Sequence, residues 1–301
     1  MTTPTDISTI PTSPVNVAVL GLGPMGIALA RTLLAAGQQV TVWNRSPKDL
    51  EPLGLRGANL AEHPADAVAD ADTVVVCLRD HTASREVIDA MRSRLGQQTT
   101  VLNLTTGSPD EAVASANHAA AQGIAYITGA IMVPTPLIGE EDSLILYAGV
   151  EADFAAAAPT IRALGGVADL VGTDHARPPV LDMAMLDIYF AGMYAFLHSA
   201  AMARAHGIEP SSYLPYADGI VRTLGSSLSD LATSYETHDY SGGEGRLDMC
   251  LSFLRHIVTT SEGAGVDAAL PRLIRDVTEM QMGRVDPGTD WNVVAEGFMR
   301  T

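Results

Sequence analysis

The run Val17-Ala18-Val19-Leu20, followed at once by Gly21-Leu22-Gly23-Pro24-Met25-Gly26, constrains this chain more than any other feature. A short apolar run ending at glycine predicts a buried strand. Ile27 to Ala36 then predicts a helix stopped by Gly37, and Val40-Thr41-Val42-Trp43 a second strand. The glycines therefore join a strand to a helix inside a unit of about 30 residues, the setting in which a Gly-x-Gly-x-x-Gly loop binds a dinucleotide. Each glycine has its own task. Gly21 permits the tight turn, Gly23 lets backbone approach a pyrophosphate, and Gly26 lets helix pack close to strand. The helix N-terminus offers the phosphates unpaired N–H groups and a partial positive charge. On this reading Gly21, Leu22, Gly23, Pro24, Met25 and Gly26 all belong to a cofactor site.

The second strand runs into Asn44-Arg45-Ser46-Pro47-Lys48. A site for NAD usually has a carboxylate here to hold the ribose hydroxyls, whereas a site for NADP has an arginine for the 2′-phosphate. In this loop no carboxylate precedes Asp49. Asn44, Arg45 and Ser46 offer donors, Arg45 can grip phosphate through two N–H groups, and Lys48 adds a point charge. The expected cofactor is NADPH. Further strands are expected at Thr73 to Leu78, Thr99 to Leu104, Ile124 to Thr128 and Ser143 to Ala148, mostly with helices between them. That alternation predicts an α/β domain with a mostly parallel sheet. Ligands bind at the carboxyl ends of such strands. Three loops qualify: Cys77-Leu78-Arg79, then Asn103-Leu104-Thr105-Thr106-Gly107, then Ala130-Ile131-Met132-Val133-Pro134. The first two are expected to flank the cofactor, and the apolar third to floor a substrate pocket.

The chain has 301 residues and a net charge of −17. So acidic a surface argues against nucleic acid as the main partner, because phosphate contacts need basic side chains. Any phosphate site must be locally basic. Cys77 and Cys250 form no metal-ligand spacing and read as two buried free thiols of a cytosolic protein. Residues 1–14 are rich in Thr, Ser and Pro, lack the features of a secretory leader, and are expected to form a disordered tail.

Gly166 to Gly172 reads as a last strand, closing a domain over 15–176. Pro178-Pro179 suits a helix start, and a long helix is expected over 177–206. It is apolar nearly all round, so length alone would fit a membrane span. Asp182, Asp187, His198 and Arg204 interrupt it, however, and predict a helix buried between domains. Asp182 and Asp187 lie about 140° apart on an ideal helix and do not readily serve one site. Asp182, near the first turn, is either functional or a carboxylate stabilised by the helix end. Asp187 reads as structural. Residues 207–301 predict helices alone, at Ser211 to Leu224, Gly225 to Thr237, Glu244 to Ala264 and Ala268 to Met282. Such helices commonly bury apolar faces against a second subunit.

Three stretches together resemble the imine reductase and reductive aminase family, part of the β-hydroxyacid dehydrogenase superfamily. They are Gly21 to Gly26 with Trp43-Asn44-Arg45-Ser46, Gly129-Ala130-Ile131-Met132-Val133-Pro134, and Gly172-Thr173-Asp174-His175-Ala176-Arg177-Pro178 leading to Asp182, Ala184 and Leu186. In the hydroxyacid dehydrogenases, the position matching Asp182 is a catalytic lysine. The resemblance implies a Rossmann domain, a long interdomain helix, and a C-terminal all-α domain exchanged between two subunits of a cytoplasmic homodimer. It implies NADPH-dependent reduction of a cyclic imine or iminium, with Asp182 as proton donor or iminium-stabilising carboxylate. Met132, Val133, Pro134 and Met193 would wall the substrate pocket, and Cys77, Leu78, Asn103 and Thr105 would flank the cofactor. Two departures stand out. The family usually has a basic residue three positions after Ser46, where this chain has Asp49. Reductive aminases often have Tyr eight positions after the catalytic Asp, where this chain has Phe190. The competing readings are a hydroxyacid dehydrogenase on the same scaffold and a non-catalytic NADP(H)-binding protein.

Overall fold

The computed structural model describes residues 14–241 and 245–299. The tail expected over 1–14 lies, apart from Pro14, outside the described residues. Contacts divide the chain into two compact units, one ending at Asp187 and the other beginning at Ile188.

The first unit runs β1 (Asn16–Leu20), α1 (Pro24–Ala35), β2 (Gln39–Trp43), β3 (Asn59–Leu60), α2 (Pro64–Ala67), β4 (Thr73–Val76), α3 (His81–Met91), β5 (Thr100–Asn103), α4 (Pro109–Ala120), β6 (Ala125–Ile131), β7 (Leu144–Ala148), α5 (Glu151–Ala163) and β8 (Val167–Leu170). The strands form one sheet in the order β3-β2-β1-β4-β5-β6-β7-β8. Every neighbouring pair is parallel except β6 with β7. Both faces are covered, as a parallel sheet requires. Because side chains alternate along a strand, Val17 and Val19 of β1 join Leu29 and Leu33 of α1 and Phe154 and Ile161 of α5 in one core. Ala18 and Leu20 turn to the other core, with Val87, Ile88 and Met91 of α3 and Ala116 and Ala119 of α4. The expected strands are all present, with ends shifted by a few residues. The two-residue β3 was not expected, being too short to show a period.

The helix α6 (Arg177–Ala205) crosses the boundary between the units. By length and composition it could span a membrane, yet only 6% of its most apolar window is buried. The expectation of a buried helix is therefore not met within one chain. Val180, Met185, Ile188, Tyr194 and Leu197 all lie in solvent. The second unit continues with α7 (Pro210–Thr237), α8 (Leu247–Gly263) and α9 (Ala269–Met282), then a 3₁₀ segment over Trp291–Gly297. The helices expected on either side of Gly225 are one helix, α7. Each internal glycine, Gly219 and Gly225, costs the helix only about 1 kcal/mol. The helix instead ends at His238, which takes the left-handed conformation (φ 54°). A small core gathers Leu247, Val293 and Val294. The helix expected from Glu244 begins at Leu247, and Glu244 itself lies outside the described residues. Cys77 and Cys250 are both free thiols and neither residue is fully buried as expected, although the Cys77 sulfur itself is largely desolvated.

Candidate active site

The direction of strand order reverses at β1, which has β2 on one side and β4 on the other. Leu20 pairs in register with Trp43 and with Val76, so three strands end side by side. A crevice opens at such a point because the following loops part in opposite directions. Here it is a cavity of about 410 Å³, lined from the first loop by Gly21, Gly23, Pro24, Met25 and Gly26. The loop after β2 adds Asn44, Arg45 and Ser46, and the loop after β4 adds Cys77, Leu78 and Arg79.

The glycine loop is held by backbone. The Gly21 N–H donates to the Trp43 carbonyl at 2.8 Å, and the Cys77 N–H to the Leu20 carbonyl at 3.0 Å. Gly21 has φ +111°, and a Cβ there would lie 2.1 Å from the Cys77 carbonyl oxygen. A Cβ on Gly26 would lie 2.0 Å from the Gly21 carbonyl oxygen. At Gly23 a Cβ would meet nothing within 4 Å. Gly23 is also the N-cap of α1, no side chain caps the helix, and Pro24 at its first position has no N–H to satisfy. The helix therefore presents unpaired donors beside open space, as a pyrophosphate requires. With Arg45 and Ser46 on the same wall, the residues fit a phosphorylated adenine dinucleotide.

Other expected residues are placed differently. Asn44 holds the loop, accepting the Leu22 N–H at Oδ1 (2.9 Å) and donating from Nδ2 to the Ser46 carbonyl (2.7 Å). The side chain of Leu22 is in the core, 2% exposed. Lys48 is exposed and is not on the cavity wall. Asn103 and Thr105 are buried behind that wall. Asn103 donates to the Tyr126 hydroxyl at 2.8 Å and accepts the Thr105 N–H, while the Thr105 hydroxyl accepts the Leu78 N–H at 3.0 Å. Both thus order the loop after β4. Burial pushes the Cys77 thiol up to about 11, so it stays protonated at neutral pH. Met132, Val133 and Pro134 follow β6, outside the cavity lining, and Met193 lies in the second unit. Residues not singled out from sequence are Trp43, Ala83, Glu86 and Val87, which complete the wall. The signal for three of them was available: α3 begins directly after the β4 loop, so its first turns must border the crevice.

Asp182 sits in the second turn of α6 and is 6% exposed, although most residues around it on the helix are open to solvent. Among the described residues its carboxyl has no hydrogen-bond or ion-pair partner, and it does not line the cavity. Burial raises its pKa above the ordinary carboxylate range. The turn leading into α6 is pinned on both sides. Asp174 accepts the Ala176 N–H at 3.0 Å, Arg177 donates to the Val171 carbonyl at 2.7 Å, and His175 Nδ1 lies 2.9 Å from the Thr128 hydroxyl. Desolvation lowers the His175 pKa, which favours a neutral ring. A partly desolvated carboxyl on an otherwise buried side chain, with no protein partner among the described residues, marks Asp182 as a functional-site candidate.

Residues 16–172 match the NAD binding domain of 6-phosphogluconate dehydrogenase, and residues 174–300 match the C-terminal domain of the NADPH-dependent reductive aminase-like family. An NADPH-dependent reductive aminase of Aspergillus oryzae is 28% identical over 94% of this chain and 97% of its own length. The structure of a Streptomyces aurantiacus imine reductase superposes with a TM-score of 0.88 at 28% identity, covering 95% of this chain and all of that one. A reductive aminase from Aspergillus terreus, in complex with NADPH and ethyl levulinate, gives 0.87 at 28% identity with the same coverage. The two domain matches and the whole-length relatives agree with one another, and the chain belongs to the imine reductase and reductive aminase family.

Proposed function

We propose that this protein is an NADPH-dependent oxidoreductase that reduces C=N bonds, converting an imine or iminium to an amine, with Asp182 as its polar catalytic residue. The observation that carries the role of Asp182 is a side chain only 6% exposed on α6 whose carboxyl has no protein partner among the described residues. NADPH, when bound, supplies the hydride, and the glycine loop, Arg45 and Ser46 hold its phosphates. Asp182 manages the proton. A raised pKa keeps the carboxyl protonated to higher pH than a solvated aspartate, so it can donate to an imine nitrogen. Once ionised, the same group sits against a cationic iminium and stabilises it electrostatically. A lysine in its place would repel that cation. Apolar walls complete the picture, and we assign them to Met132, Val133, Pro134 and Met193.

A preformed cyclic imine with NADPH tests the reading beside NADP-linked oxidation of a 3-hydroxyacid. Turnover of the imine is expected, with kcat/KM for NADPH at least about tenfold above that for NADH. Turnover of the hydroxyacid alone would assign the chain to the dehydrogenase side of the superfamily. Binding of NADPH with no turnover across an imine panel would make it a cofactor-binding protein.

The working form is proposed to be a homodimer in the cytoplasm. Of the 28 residues of α7 only Ala217 is buried, and Tyr216, Ile220, Val221 and Leu224 are exposed, as is most of α6. Apolar faces this long are normally covered, and a second copy of the chain, exchanging its helical part, would cover them. Sedimentation equilibrium should give twice the 31.6 kDa chain mass at micromolar concentration. A monomer that still reduces the imine would overturn this assignment.

A further inference from the structure

We infer that Arg79 is a second specificity-determining cation for the phosphate-bearing adenosine end of the cofactor, a role resting on the NADPH reading above. The cavity wall carries three formal charges, Arg45, Arg79 and Glu86. Without Arg79 the wall would be neutral, in a chain whose net charge is −17. A 2′-phosphate adds about two negative charges to those of the pyrophosphate. Arg45 is the other cation on that wall, and Glu86 shares the wall with it. The loop after β2 supplies no further cation to the wall: Lys48 is outside the lining, and Asp49 folds back to accept the Glu51 N–H at 3.2 Å.

The geometry of Arg79 suits phosphate. Asp80 caps α3, its Oδ1 accepting the Ala83 N–H at 2.8 Å. Its Oδ2 accepts from Arg79 Nε, also at 2.8 Å. The helix end thereby orients the carboxylate, and the carboxylate orients the guanidinium. One residue earlier the Leu78 N–H is fixed by the Thr105 hydroxyl. With Nε engaged, the two terminal nitrogens of Arg79 have no protein partner among the described residues, and they are the edge that pairs with phosphate oxygens. The Arg79–Asp80 pair is solvent-exposed and stabilises little by itself. Its consequence is direction. The end of β4 thus brings to the crevice a charge that the second-strand loop leaves out.

Calorimetric titration of the full-length protein with NADPH, NADH, 2′,5′-ADP and 5′-AMP tests this without turnover. For Arg79→Ala the Kd for NADPH and 2′,5′-ADP should rise about tenfold, while those for NADH and 5′-AMP stay within about twofold. Arg79→Lys should recover part of the loss, and Arg45→Ala/Arg79→Ala should bind NADPH no better than NADH. Equal losses for phosphorylated and unphosphorylated ligands would make Arg79 a contact for the adenine or ribose and overturn the inference, as would no loss at all. If the wild-type protein itself binds NADPH and NADH equally, the NADPH reading fails instead, and that arm shows it before any variant is made. Arg79 is exposed, so the thermal midpoint of the variants should match wild type, and a large fall would expose a folding defect.

Discussion

Replacing Asp182 by alanine is expected to lower kcat/KM for imine reduction by about 10²–10³-fold, the usual value of a positioned proton donor or preorganised charge. The Kd for NADPH should be unchanged, because Asp182 does not line the cofactor cavity. Asp182→Asn separates the two roles. On a permanently cationic N-alkyl iminium, which needs no proton, the amide variant should retain most activity if the carboxyl acts as donor. It should lose activity on both substrates if the carboxylate acts as counter-charge. Wild-type rates in both variants would mean that another residue does this work. The same variant carries a stability signature. The pKa of Asp182 in the folded chain lies above its ordinary value of 3.8 because burial disfavours the charged form. Between those two values the folded chain holds a proton that the unfolded chain has lost. The stabilisation from that proton is complete below 3.8 and is lost as pH rises through the folded value. Asp182→Asn escapes this loss and should be more stable than wild type at pH 7, the margin shrinking toward pH 4. A variant less stable than wild type at pH 7 would show that the carboxylate has a partner.

Gly26→Ala and Gly23→Ala should part company, although each adds one methyl group to one loop. The Gly26 methyl would sit 2.0 Å from the Gly21 carbonyl oxygen, and neither group can swing aside because both are backbone. The loop must move, at a cost of about 3 kcal/mol and a fall in Tm of about 5–10 °C, with weaker NADPH binding. Gly23 has φ −70°, which alanine adopts freely, and open space where the methyl would go. Loss of a favourable N-cap and restriction of the unfolded chain offset to within about 0.5 kcal/mol. The methyl would instead occupy the cavity where backbone approaches the pyrophosphate. Gly23→Ala should therefore keep its Tm and lose affinity for NADPH and NADH alike, by about tenfold or more. Unchanged affinity would remove the glycine loop from the binding site, and a Tm loss equal to that of Gly26→Ala would mean that Gly23 is a packing residue.

How far each part was legible follows from how local its cause is. The strand, glycine loop and helix from Asn16 to Ala35 are written in neighbouring residues, by alternation on β1 and by absent Cβ atoms at Gly21 and Gly26. Arg45 was legible for the same reason, because it follows the second strand directly. Asp182 was legible as a charge in an apolar helix, and the tertiary structure added that its side chain is shielded while most of its neighbours on the helix are exposed. Roles set by a neighbouring strand could not be read this way. Whether Asn44 faces a ligand or holds Leu22 depends on β2 lying beside β1, and Asn103 and Thr105 are drawn inward by Tyr126 and Leu78. Glu86 and Arg79 reach the cavity because β4 ends in register with β1, more than fifty residues away along the chain. The sequence by itself determined the cofactor loop and the presence of a carboxylate within an apolar helix, since propensity, periodicity and residue type act over a few positions. Only the tertiary structure decided which charges share the cavity wall and which apolar faces of α6 and α7 remain uncovered, because both depend on strand order and on surfaces from distant segments.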